Sequence, residues 1–131
     1  WCPNCLDETK YLVKYLRENP NHKVQIIALA FEVAKTRLTA YDRINRLKEK
    51  IGVNYPILLA QFGNEANKTL ASQKLPMLNH VISYPTTIFI DKNRNVRKIH
   101  TGFNGPATGK EYTVFTEEFE QFVNELLTEK E

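Results

Sequence analysis

Only two cysteines occur in the chain, and both stand in one motif, Cys2-Pro3-Asn4-Cys5. A C-x-x-C that opens a helix has a chemical use. Its first sulfur meets unpaired backbone N–H groups and the positive end of the helix dipole, both of which stabilise a thiolate. The second sulfur lies one turn inside. The two are then unequal: Cys2 is expected to be the exposed nucleophile of lowered pKa, and Cys5 the more buried thiol that resolves a mixed disulfide. Pro3 suits an early helical position, where its missing N–H would have had no partner. Zinc usually takes four ligands, and only His22, His80 and His100 could complete a set, none at finger-like spacing. No metal is therefore expected. A single C-x-x-C also excludes a scaffold stapled by several disulfides.

Glu8 follows Cys5 by three residues and precedes Leu12 by four, which places its carboxyl on the inward stripe below the sulfurs. Burial there would raise its pKa towards neutrality, so that it could take the proton of Cys5 as that thiol attacks a mixed disulfide. Spacing alone serves a solvated helical glutamate equally well. Of the histidines, His100 ends a strand and reads as packed or solvated rather than as a base, and His22 and His80 show no better signal.

These groups need elements to hold them. Residues 5–17 have a helical pattern, with Cys5, Leu12 and Leu16 along one stripe and Asn19-Pro20-Asn21 as its stop. The almost continuously apolar stretch 24–31 reads as a strand covered on both faces near the centre of a sheet. A second helix is expected over 40–51, with Thr39 and Asp42 at capping-box spacing, Tyr41, Ile44, Leu47 and Ile51 inward, and Gly52 as its end. A short segment at 55–60 precedes a helix over 64–75, with Ala66, Leu70 and Ala71 inward, and a break at Pro76. The strand 86–90, the turn residues 91–95 and the strand 96–100 make an antiparallel hairpin with a basic, solvated tip. Residues 102–109 hold three glycines and Pro106 without periodicity, as a loop of specific shape. The last helix is expected to start at Thr116 as N-cap and to bury Phe119, Phe122, Val123, Leu126 and Leu127. Strands alternating with helices, then a hairpin and a closing helix, predict a layered α/β fold with a mixed sheet.

At 131 residues and 42% apolar content the chain is sized for one compact domain. Its longest apolar runs, 26–31 and 57–60, fall far short of the roughly 18 to 20 residues that span a bilayer, so no membrane span is expected. Eighteen basic and fifteen acidic residues give a formal charge of +3, spread thinly enough to imply no nucleic-acid partner. The first residue is Trp1 and no charged n-region or cleavage site is present, so any targeting segment is expected to have been removed or to lie outside these residues.

Trp1-Cys2-Pro3-Asn4-Cys5 with Glu8, followed far downstream by Tyr84-Pro85-Thr86-Thr87-Ile88-Phe89-Ile90-Asp91, resembles the thioredoxin superfamily. More narrowly, it resembles the TlpA/ResA-like thiol-disulfide oxidoreductases, or redoxins. The helix–strand insertion at 40–60 is similar to the one that distinguishes that branch, so the resemblance runs over nearly the whole chain. It implies a thioredoxin-like mixed sheet flanked by helices in a single domain, 1–131. It also implies that Cys2 attacks, Cys5 resolves, Glu8 is the buried acid and Pro85 is a cis-proline facing the sulfurs. The backbone at Tyr84 would pair with a substrate peptide, with Trp1 and Thr86 beside it. The residues 100–109 are similar to a stretch in envelope proteins of this family from Bacteroidetes-type bacteria.

The same resemblance implies no metal or organic cofactor, disulfide-containing client proteins and an upstream thiol donor as partners, and a periplasmic or extracytoplasmic location. The chain departs from the family twice. Lys10 replaces a proline two residues after the glutamate, so the usual kink is not expected. The family also places a hydrophobic strand directly before the tryptophan, and without it the strands 24–31 and 86–90 would each lack a neighbour. The chain is therefore expected to be the C-terminal portion of a redoxin domain. Upstream residues or another chain would fill the gap, a swapped or paired homodimer included. Two other functions stay open. One is peroxide reduction as in the related peroxiredoxins, although these use a threonine and an arginine around the reactive cysteine where Trp1 stands. The other is a non-catalytic module that binds client peptides at Tyr84–Pro85.

Overall fold

The computed structural model describes residues 2–63, 73–78 and 84–130. Pro3 opens helix α1 (Pro3–Glu18), which runs unbroken through Lys10. Asn19 ends it by donating to the Tyr15 carbonyl from both its backbone N–H (3.0 Å) and its side-chain Nδ2 (2.9 Å), which satisfies one carbonyl the helix leaves without a partner. Glu8, Tyr11 and Tyr15 form one buried stripe and Val13 is buried on the opposite side of the helix, whereas Leu12 and Leu16 are only half-buried. The expected leucine stripe is thus displaced by tyrosines, whose large apolar rings bury well even though they carry a polar tip.

Strand β1 (Ala28–Val33) pairs in parallel with β2 (Ile57–Gly63), with Leu29 opposite Leu58 and a register shift after Ala30. The strand expected at 24–31 therefore starts and ends later. It is not covered on both faces among the described residues: Ile27 is 55% exposed, Leu29 45% and Leu58 53%. A continuous apolar run does not distinguish a strand buried on two faces from one whose second face stands open. Between the two strands lies α2 (Arg37–Ile51), which buries Ala40 and Ile44. Its N-cap is Thr36, whose side chain accepts from the Thr39 N–H at 3.1 Å, so the helix begins earlier than the Thr39/Asp42 box implied. Gly52 ends it as expected, in the left-handed region at φ 75°, with its N–H on the Lys48 carbonyl. Most of the helix expected over 64–75 lies outside the described residues. Residues 73–74 are helical, and Pro76 and Met77 form a turn.

Strands β3 (Thr86–Ile90) and β4 (Val96–Thr101) form the expected antiparallel hairpin, with Thr86 opposite Thr101 and Thr87 opposite His100. Asp91 shapes its turn by accepting from the N–H groups of Asn93 and Asn95, both at 2.9 Å. The closing helix is α3 (Lys110–Thr128), which buries Phe115, Phe119 and Val123. It starts six residues before Thr116, because a 3₁₀ turn, Pro106–Thr108, already winds the chain and Gly109 at φ 65° leads directly into it. Thr116 spends its hydroxyl on the Thr113 carbonyl (2.9 Å) instead of capping. Phe89 of β3 packs edge-on against Phe122 at 5.2 Å and beside Phe119 at 5.6 Å, which fixes one face of the hairpin against α3.

The basic tip is not simply solvated. Lys92 Nζ donates to the carbonyls of Leu127 and Glu129, each at 2.9 Å, at the C-terminus of α3. Arg97 forks onto Glu129 at 2.6 and 2.9 Å and reaches Asp91 at 3.2 Å. Cations at a helix C-terminus satisfy orphan carbonyls and oppose the dipole there.

The chain divides into two compact units. One holds Thr9–Pro20 and Gln25–Ile82, with the parallel pair and α2. The other holds Cys2–Glu8, Asn21–Val24 and Ser83–Glu131, with the hairpin and α3. The C-x-x-C, Glu8 and the Tyr84–Pro85 segment all belong to the second.

Candidate active site

Cys2 and Cys5 are joined in a disulfide, with Cα atoms 5.2 Å apart. The Leu6 N–H bonds to the Cys2 carbonyl at 3.1 Å, so Cys2 stands as the N-cap of α1. Its sulfur also acts as a cap, accepting the Cys5 N–H at 3.2 Å as a serine oxygen would at that position. The same Sγ lies 3.6 Å from the Tyr84 carbonyl oxygen, and the Tyr84–Pro85 peptide bond is cis. Both cysteines are half-buried, so Cys2 is not the exposed sulfur that was expected. Surroundings rather than exposure make the sulfurs unequal, because only Cys2 holds the capping position that favours a thiolate.

Glu8 is 6% exposed. Its Oε1 accepts the Thr87 hydroxyl at 2.6 Å, and its Oε2 has no hydrogen-bond partner among the described residues. Burial pushes the carboxyl from its ordinary 4.5 up to about 7, against the Thr87 hydrogen bond, which pulls it down. The carboxyl is therefore near half-ionised at neutral pH. Thr87 was missed in the sequence, yet a signal for it existed. Side chains alternate along a strand, so Thr87 shares the face of Phe89 and Thr86 takes the other. Thr86 pairs with Thr101, and the Gly102 N–H bonds the Pro85 carbonyl at 2.7 Å, continuing the hairpin ladder up to the cis bond. Trp1 and His80 lie outside the described residues.

The 102–109 loop has a defined place. Phe103 is buried edge-on against Phe115 at 4.8 Å, and Gly105 comes up against Asp7 in the second turn of α1. A Cβ at position 105 would sit 3.1 Å from the Asp7 Cγ and 3.3 Å from its Cβ. Gly105→Ala is therefore expected to cost about 1–3 kcal/mol. Urea denaturation checks this against Gly63→Ala, where an added Cβ meets nothing within 4 Å. The His100 ring packs at a tilt against Phe115 at 5.2 Å, and burial followed by the nearby Lys98 holds its pKa below the ordinary value. It serves the packing of α3. No group of three or more His, Cys, Asp or Glu residues among those described is placed to hold a metal ion, and no described helix is long and apolar enough to cross a membrane.

A dithiol motif capping a helix, a buried acid on that helix and a cis-proline beside the sulfur define a redoxin of the thioredoxin superfamily. The chain belongs to the AhpC/TSA family, whose model matches residues 1–99. Among solved structures it is similar to a chain described as a thiol:disulfide interchange protein DsbE from Chlorobium tepidum. The two share 13% identity at a TM-score of 0.61, over 94% of this chain and 73% of that one. At such identity the likeness establishes the thioredoxin-like α/β fold. A search of curated proteins finds no match.

Proposed function

We propose that the chain is a TlpA/ResA-like thiol-disulfide oxidoreductase that reduces protein disulfides. The observation that carries this reading is the Cys2–Cys5 pair at the N-terminus of α1, with the Cys5 N–H directed at the Cys2 sulfur. In the dithiol form, the Cys2 thiolate attacks one sulfur of a client disulfide, and the other client sulfur leaves as a thiolate. Glu8 as carboxylate takes the proton of Cys5, whose thiolate then attacks the Cys2 sulfur. The Cys2–Cys5 disulfide forms, the second client thiolate leaves and is protonated, and two electrons have passed from protein to client. An upstream dithiol donor restores the pair, and no metal or organic cofactor enters these steps.

Tyr84, Pro85 and Thr86 form the client surface in this reading. Support comes from the Tyr84 carbonyl lying 3.6 Å from the Cys2 sulfur, where an extended peptide brought to that sulfur would run beside it. The likeness to a chain described as an interchange protein supports disulfide-bearing clients, and a periplasmic or extracytoplasmic setting belongs to the same reading. The open apolar face of β1 and β2 supports the further reading that 1–131 is the C-terminal portion of one redoxin domain, completed by additional chain or by a second copy in a homodimer.

The test is reduction of insulin disulfides with dithiothreitol as donor, run beside consumption of hydrogen peroxide with the same donor. Catalysed insulin reduction with peroxide loss at background is expected. The AhpC/TSA match makes peroxide reduction the second reading, and the reverse result would select it. If both sulfhydryls of the folded, reduced protein resist alkylation below about pH 9, neither reading stands.

A further inference from the structure

We propose that Thr87 is the positioning residue of the acid: its hydroxyl holds one oxygen of the Glu8 carboxyl so that the other, Oε2, exchanges a proton with Cys5. The proposal rests on the oxidoreductase reading above. Two observations carry it. The Thr87 Oγ1 reaches Glu8 Oε1 at 2.6 Å across 79 residues of chain, and Oε2 of the same buried carboxyl has no partner among the described residues. A buried polar atom left open is costly, and the residue that carries it stands three positions, about one helical turn, after Cys5 on α1.

The chemistry of the donor matters. A carboxylate accepts the Thr87 proton at Oε1, and a carboxylic acid protonated at Oε2 still offers Oε1 as an acceptor, so the hydrogen bond survives both states. Proton transfer then requires no reorientation of the side chain. Cys5 loses its proton to Oε2 as its sulfur bonds to Cys2, and Oε2 later releases that proton to the departing client thiolate or to water. Thr87 also favours the charged form, so removing its hydroxyl drives the carboxyl towards the acid. Among the described residues, His100 stands opposite Thr87 on β4, and Cys5 and Tyr11 lie three residues to either side of Glu8 along α1.

Thr87→Val keeps the β-branched shape favoured in a strand and deletes the hydroxyl. The first readout is the Glu8 carboxyl titration by ¹³C NMR in the oxidised protein, where neither cysteine titrates, with the His100 ring followed in the same samples. Its midpoint is expected to rise by about one pH unit. The second readout is release of glutathione from Cys2 loaded as a mixed disulfide. Its pH profile should move up by the same amount, with release at pH 7 slowed about fivefold as the ionised fraction of Glu8 falls. Thr87→Ser should restore both midpoints, and in a Glu8→Gln background Thr87→Val should add nothing.

A Glu8 midpoint unchanged in Thr87→Val, or a slowing of equal size in the Glu8→Gln background, overturns the role of Thr87. If the valine variant does not fold, Thr87→Ala carries the same expectations. Wild-type protein that releases no glutathione at any pH overturns the oxidoreductase reading instead. Wild-type release with a coincident Thr87→Val profile overturns the positioning role alone.

Discussion

Replacing Cys2 by serine is expected to remove disulfide exchange, lowering the insulin-reduction rate by about a thousandfold or more while the protein stays folded. The size of the effect follows from the nucleophile, since a serine hydroxyl is scarcely ionised at neutral pH and forms no bond of the disulfide kind. Retention of the fold follows from the N-cap. The Cys2 sulfur accepts the Cys5 N–H, and a serine oxygen is among the best acceptors for that position, so α1 keeps its first turn. Cys5→Ser should behave differently: it leaves the attacking thiolate in place and traps client proteins on Cys2 as mixed disulfides visible by mass spectrometry. The pair of variants also separates an enzyme from a peptide-binding module. If the Cys2→Ser protein still reduces insulin at the wild-type rate, the dithiol plays no part in the chemistry.

A second large effect is expected in stability. The Glu8 carboxyl titrates near 4.5 when exposed and near 7 in the fold, because burial penalises its charge. Below pH 4.5 it is protonated in both states and costs nothing. Between 4.5 and 7 the unfolded chain releases this proton while the folded protein retains it, so the folded state binds more protons and loses stability as pH rises. Above 7 the loss is complete. From the difference of the two values it is about 3 kcal/mol. Glu8→Gln, which carries no charge at any pH, should escape this loss, so urea midpoints of wild type and variant should diverge from pH 4.5 to 7 and run parallel above. Curves parallel throughout that window would mean that Glu8 is not buried as described. The same variant should slow glutathione release most at alkaline pH, where wild-type Glu8 is fully ionised.

The placement of Cys2, Pro3, Cys5 and Glu8 along one helix could be read from one dimension because local geometry sets it, whereas Tyr84 and Pro85, 82 residues and more from Cys2, were expected only from the family resemblance. Cys2, Pro3 and Cys5 fall at N-cap, first and third helical positions by counting alone, and Glu8 follows by one further turn. Strand β3 and its hairpin were equally readable, since alternation and turn residues are local signals. Three things were not. The start of α3 was hidden because Thr116 is a good cap in isolation, while the 3₁₀ turn that begins the winding depends on Gly105, whose close approach to Asp7 is a tertiary contact. The cover of β1 was overestimated because Ile27 and Leu29 describe what a strand would bury, not what is there to bury it. Alternation places Thr87 on the Phe89 face of β3, but its meeting with a carboxyl 79 residues away is a tertiary contact that strand pattern does not reveal.

The sulfur that ends α1 has a consequence for how the molecule can be watched. Because the Cys5 amide hydrogen rests on Cys2 Sγ, its exchange with deuterium depends on the electronic state of that atom. It should be slowest when the atom bears a full negative charge, and faster once the atom is tied to a second sulfur. One amide near the front of the chain thus works as a gauge of the oxidation state of the pair, legible without any attached probe.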